Sequence, residues 1–131
     1  MSKTNKNVFI VDDDASVLKS LHRLLRSAGF NVEAFHSGQA FLDSIPFDTE
    51  GCLLLDLCMP DINGFELQER LNSYGSRLHI IIITAHAQAG DREKAMKKGA
   101  VGFLRKPFDD QSLIDLINTA LQRVTEIKKN I

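Results

Sequence analysis

Five short apolar runs punctuate the chain: VFIV at 8–11, VEAF at 32–35, CLLL at 52–55, IIII at 80–83 and VGFL at 101–104. Each has the length and the β-branched or bulky composition of a buried strand. Between them the periodicity becomes helical. Val17, Leu18, Leu21, Leu24, Leu25 and Ala28 recur at i, i+1, i+4, i+7, i+8 and i+11, with Gly29 where a C-terminal cap belongs. Ser37 caps a second helix that carries Phe41, Leu42 and Ile45 and is stopped by Pro46. Leu67, Leu71 and Tyr74 mark a third, closed by Gly75. The fourth, from about Asp91 to Lys98 before Gly99, is the most polar, with Ala95 and Met96 as its apolar anchors. A fifth bears Leu113, Ile114, Ile117, Ala120, Leu121 and Val124 on one stripe.

Strands that are apolar on both faces and alternate with helices predict an α/β domain, a doubly wound five-stranded parallel sheet covered on each side. Right-handed crossovers gather the carboxyl ends of all the strands along one edge, where open sheets of this kind bind their ligands. The 131 residues amount to one domain, 1–131, with no repeat or internal linker.

Just past the strands stand Asp12 and Asp13, then Asp56, Thr84 and Lys106. The first two belong to a run of three aspartates, Asp12 to Asp14. Two unit charges ~5 Å apart at an effective dielectric of ~20 repel by about 3 kcal/mol, so such a run has to be solvated, protonated or neutralised. One reading makes it the acidic N-terminus of a helix. The other makes it half of a cation site, because carboxylate oxygens with water suit Mg²⁺, which leaves positions open for phosphate oxygens. A cation, a lysine and a hydroxyl gathered around one separate carboxylate are equipment for phosphoryl transfer, with Asp56 as nucleophile.

Charge and cysteines narrow the field. A formal charge of −1 gives no general attraction to nucleic acid or anionic membrane. With no signal-peptide core and no run of membrane-spanning length, a cytoplasmic location is expected. Cys52 and Cys58, at opposite ends of a short extended stretch, are up to about 20 Å apart on that reading and are expected to be free thiols. Four histidines, His22, His36, His79 and His86, lack paired metal-ligand spacing and read as structural or surface residues.

The motifs VDD, LLLDLCMPDINGFEL, IIIITAH and FLRKPF, in this order and spacing, resemble the receiver domain of two-component response regulators over residues 7 to about 124. LDLCMPDINGFELQERL and AMKKGAVGFLRKPF further resemble the FixJ-like subgroup of transcriptional regulators. The resemblance implies a flavodoxin-like (βα)5 receiver fold in which Asp56 accepts a phosphoryl group from a phosphohistidine on a sensor histidine kinase. It implies that Asp13, assisted by Asp12, holds Mg²⁺ together with Asp56 and the Cys58 backbone carbonyl. Thr84 and Lys106 would contact the phosphoryl oxygens, the Lys106–Pro107 bond would be cis, and Phe103 would be the switch aromatic that follows Thr84. It also implies an effector, DNA-binding domain outside this chain and a phosphorylation-dependent homodimer through the fourth helix, fifth strand and fifth helix. Receivers are phosphoacceptors rather than turnover enzymes. One departure is TAHAQAGD, where relatives often read TGHGD, which affects the loop after the fourth strand.

Three other functions draw on the same fold or residues. A flavin-binding electron carrier shares the fold, but its phosphate-cradling loop is incompatible with three aspartates. A dehalogenase-type hydrolase uses two acids two residues apart after the first strand, and Asp12 and Asp14 have that spacing. A stand-alone receiver that relays phosphate or binds a partner, without an effector domain, is a further alternative. The tail from about residue 125 reads either as a solvated helix end or as the start of a linker.

Overall fold

The computed structural model describes the backbone of residues 5–129 and the side chains of residues 5–122. The strands are β1 (Asn7–Val11), β2 (Asn31–Phe35), β3 (Glu50–Leu55), β4 (Arg77–Thr84) and β5 (Gly102–Arg105). The helices are α1 (Ala15–Ser27), α2 (Gly38–Ser44), α3 (Gly64–Ser73), α4 (Asp91–Lys97) and α5 (Asp110–Lys129). All strands are parallel in the order β2-β1-β3-β4-β5, so strand order reverses between β1 and β3. The doubly wound five-stranded expectation is met. Val124 of the predicted stripe and the choice between helix end and linker lie outside the described side chains.

Alternation along the strands builds two cores. Phe9, Val11, Leu53, Leu55, Ile80 and Ile82 face α2, α3 and α4 through Phe41, Leu67, Leu71 and Ala95. Their neighbours Val8, Ile10, Cys52, Leu54, Ile81 and Ile83 face α1 and α5 through Leu21, Leu25, Leu113 and Ile117. Central strands buried on both faces explain why IIII and CLLL show no polar positions.

The helix ends follow local chemistry. At the end of α1, Gly29 takes φ 96°, its N–H bonds Arg26 O at 3.1 Å and the Phe30 N–H bonds Leu25 O at 3.1 Å. That paired closure satisfies two carbonyls the helix leaves open, and it recurs at Gly75 and Gly99. Ser37 caps α2 as expected, accepting from the Ala40 N–H at 3.0 Å.

Three stripe assignments change. Ala28 and Tyr74 are exposed C-cap residues, and Met96 of α4 points outward at 41% exposure. β4 is also longer than its apolar run, because Arg77, Leu78 and His79 continue the ladder against Glu50, Gly51 and Cys52.

Candidate functional site

The sheet ladder itself places the site residues. Beyond the last paired positions, the Asp56 N–H bonds Val11 O at 3.1 Å, the Asp12 N–H bonds Phe35 O at 3.2 Å and the Lys106 N–H bonds Thr84 O at 2.9 Å. Each residue is thus fixed by the strand beside it. Thr84 is the final residue of β4 and fully buried.

The three aspartates divide between the two readings. Asp14 is the N-cap of α1, accepting from the Ser16 N–H at 2.9 Å and the Val17 N–H at 3.3 Å. It is therefore committed to a helix end, which also removes the acid a dehalogenase-type pair would need. Asp12 is fully buried, with Oδ1 accepting the Asp14 N–H at 2.9 Å and Oδ2 accepting from Lys106 Nζ at 2.7 Å. Asp13 is exposed. One carboxylate oxygen from each of Asp12, Asp13 and Asp56 lies within 4.8 Å of the others.

Asp56 is 7% exposed. Its Oδ1 accepts the Cys58 N–H at 3.3 Å, and its Oδ2 stands 3.7 Å from Lys106 Nζ. Burial, foremost, and then the charge of Asp12 push its carboxyl above the ordinary value, while Lys106 and the Cys58 N–H pull it back and Asp13 adds a smaller upward push. One ammonium for three carboxylates leaves the cluster short of positive charge. Hard oxygen donors on two buried groups and one exposed group fit a small divalent cation such as Mg²⁺ that keeps part of its hydration shell.

The Lys106–Pro107 bond is cis. Cys58 is exposed and Cys52 buried, both free thiols, and burial pushes the Cys52 thiol far up. Cys58 meets Asp56 through its peptide N–H. Thr84 Oγ1 accepts the His86 N–H at 3.3 Å, and Phe103, in β5, is buried at 7% exposure. No helix among the described residues is long and apolar enough to cross a membrane.

Two supporting residues escaped the sequence reading. Gly64 opens α3 so close to the site that a Cβ there would stand 2.7 Å from Asp56 O and 2.9 Å from Leu57 Cα. Asp61, in the loop after Asp56, accepts the Gln39 N–H of α2 at 3.0 Å. Although slight burial raises the Asp61 carboxyl, the N–H groups of Gln39, Ile62, Asp61 and Gly38 hold it below the ordinary range. The acidic residue near a strand-to-helix connection was the available signal for Asp61, and the glycine before an apolar helical stripe was the signal for Gly64.

Comparison with known proteins agrees with this geometry. The transcriptional regulatory protein FixJ of Bradyrhizobium diazoefficiens is 40% identical over 127 residues, covering 97% of this chain and 62% of that protein. The response regulator StyR has a solved structure with TM-score 0.87 and 45% identity, covering 95% of this chain and 63% of the other. The crystal structure of FixJ-N superposes with TM-score 0.83 and 39% identity, covering 93% of this chain and 96% of the other. The chain spans about three-fifths of the length of the curated relatives it matches most strongly. Residues 8–118 match the response regulator receiver domain, and the chain belongs to that family, the receiver domains of two-component response regulators.

Proposed function

We propose that Asp56 is the phosphoacceptor of this receiver and that its phosphorylation, by a sensor histidine kinase, switches an output surface controlling a transcriptional effector. The observation that carries the reading is the surplus of carboxylate at the sheet edge, where Asp12, Asp13 and Asp56 gather and Lys106 reaches Asp12 and Asp56. Asp12, Asp13, Asp56 and the Cys58 carbonyl would hold Mg²⁺, which supplies charge neutralisation for the phosphoryl oxygens.

The chain's own residues do the rest. An oxygen of Asp56 attacks phosphorus, forming the O–P bond as the P–N bond to the donor imidazole breaks and the imidazole leaves with its electron pair. The Cys58 N–H on Oδ1 orients the carboxylate. Lys106, 3.7 Å from Oδ2, is within a small movement of the incoming oxygens and balances their charge. The Thr84 hydroxyl donates to the phosphoryl group and Phe103 repacks behind it. The same reading makes the domain a cytoplasmic phosphoacceptor rather than a turnover enzyme. Its receiver unit includes residues 8–118, and the reading couples it to a DNA-binding effector domain.

Incubation with acetyl phosphate and Mg²⁺, followed by intact mass, tests the acceptor role. One added phosphoryl group is expected for the native chain and none for Asp56→Asn; equal labelling of both rejects the assignment. The proposed homodimer forms through α4, β5 and α5, where a coupling of about 1–3 kcal/mol strengthens association roughly 5- to 150-fold. Sedimentation velocity with and without beryllofluoride and Mg²⁺ should show monomer converting to dimer. An unchanged monomer at high micromolar concentration rejects dimerisation, leaving the acceptor role to the mass measurement.

A further inference from the structure

α4 has little apolar anchorage: Ala95 is its one buried residue, and Met96 is turned to solvent. A polar seam from α3 holds it instead. Lys94 Nζ lies 4.3 Å from the centre of the Phe65 ring, Gln68 Nε2 donates to Ala95 O at 3.2 Å, and Asn72 Nδ2 donates to Lys98 O at 2.7 Å. Lys98 also pairs with Glu69. The opposite end of α3 is built into the site, where the Gly64 N–H bonds Leu57 O at 3.0 Å and the Gly64 backbone packs on Asp56. One helix therefore touches both the acceptor loop and α4.

Within that seam Gln68 is anomalous. It is fully buried between Leu67 and Leu71, and among the described residues its Oε1 is the buried side-chain polar atom that has no hydrogen-bond partner. Stranding an acceptor costs stability, whereas an apolar side chain of similar size strands nothing. Nor does Ala95 O depend on Gln68, since it already accepts from the Lys98 N–H at 3.1 Å and the Ala100 N–H at 3.0 Å. For a helix held in one place, leucine or methionine would serve better. For a helix that shifts, a buried amide has an advantage, because its donor can move from one carbonyl to the next and its idle acceptor can take up a new partner, while interlocked apolar packing resists sliding.

We propose that Gln68 is a coupling residue: it keeps α4 movable against α3 without adding to stability, so that a change at Asp56 reaches the α4 surface through α3 as well as through Thr84 and Phe103. The proposal rests on the reading of Asp56 as phosphoacceptor. The experiment compares the full chain with Gln68→Leu and with Gln68→Met, whose unbranched side chain fits the same space. Urea unfolding is measured for all three, and amide NMR shifts are followed on adding beryllofluoride with Mg²⁺.

Both variants are expected to unfold at an equal or higher urea midpoint than the native chain. Beryllofluoride should still shift the amides around Asp56, Thr84 and Lys106 in every protein, while shifts across residues 91–98 fall below half their native size in the variants. A lowered midpoint in both variants, or α4 shifts of native size in either, overturns the proposal. Absence of shifts around Asp56 in the native chain overturns the phosphoacceptor reading itself, and the role of Gln68 with it.

Discussion

Lys106 Nζ donates to Asp12 Oδ2 at 2.7 Å and stands a further ångström from Asp56 Oδ2, so the ammonium is held by the carboxylate that is fully buried and leans toward the one proposed to react. Removing it leaves a buried charge without its partner. Lys106→Met is therefore expected to destabilise the domain by about 3–5 kcal/mol without Mg²⁺, the cost of a buried charge whose partner is removed. Saturating Mg²⁺ should shrink that deficit, because the cation takes over the neutralisation. Urea unfolding with and without MgCl₂ checks it, and an equal deficit in both conditions contradicts the account.

Asp13 and Asp14 are adjacent in sequence and should separate cleanly by mutation. Asp14→Ala removes the α1 cap and is expected to cost about 1 kcal/mol of stability while leaving Mg²⁺ affinity nearly unchanged. Asp13→Ala should do the reverse, weakening Mg²⁺ binding while relieving like-charge repulsion. Paired urea and Mg²⁺ titrations decide; if both variants lose the same property, the division of roles is wrong.

Acidity should relieve Asp56. Its folded carboxyl lies above the ordinary value of 3.8, so the folded chain takes up this proton more readily than the unfolded one. The cost of the charged form is greatest above the folded pKa and disappears as pH falls through it toward and below 3.8. Asp56→Asn is thus expected to unfold at a higher urea midpoint than the native chain at pH 7 without Mg²⁺, the gap closing on acidification. A gap that is constant with pH would mean that charge burial is not its source.

Gly64→Ala tests how tightly α3 is seated on the acceptor loop. The added Cβ has backbone at 2.7 and 2.9 Å, which a flexible side chain cannot relieve, so a loss of about 1–3 kcal/mol is expected. Thermal or urea unfolding within about 0.5 kcal/mol of native would show that the helix can slide away freely.

The sequence revealed the sheet because its central strands are buried on both faces and carry no polar interruption, as in Leu53 to Leu55 and Ile80 to Ile83. It concealed the start of β4, where Arg77 and His79 lie at the rim and alternate with apolar neighbours. Tyr74 misled because helical spacing continues into a cap that has already left the core. At the site, residues that follow strands were readable from topology alone, which is why Asp12, Asp13, Asp56, Thr84 and Lys106 meet at one edge. Partners were not readable: that Lys106 bonds Asp12 most closely, and that Asp14 turns back to cap α1, depend on side-chain directions no spacing encodes. Gln68 looked like any polar residue on a helix surface. Its position beside Leu67 and three residues before Leu71, on the inward stripe, was the signal that it is buried.

The central claim is that phosphoryl transfer ends on one particular carboxylate. An aspartyl phosphate is reduced by borohydride to homoserine, which marks the modified residue permanently for peptide sequencing by mass spectrometry. After treatment with acetyl phosphate and Mg²⁺ and then borohydride, homoserine is expected at position 56, with Asp12 and Asp13 intact in the same digest. Homoserine at position 12 or 13, or none at position 56 in a sample whose intact mass shows a phosphoryl group, contradicts the account.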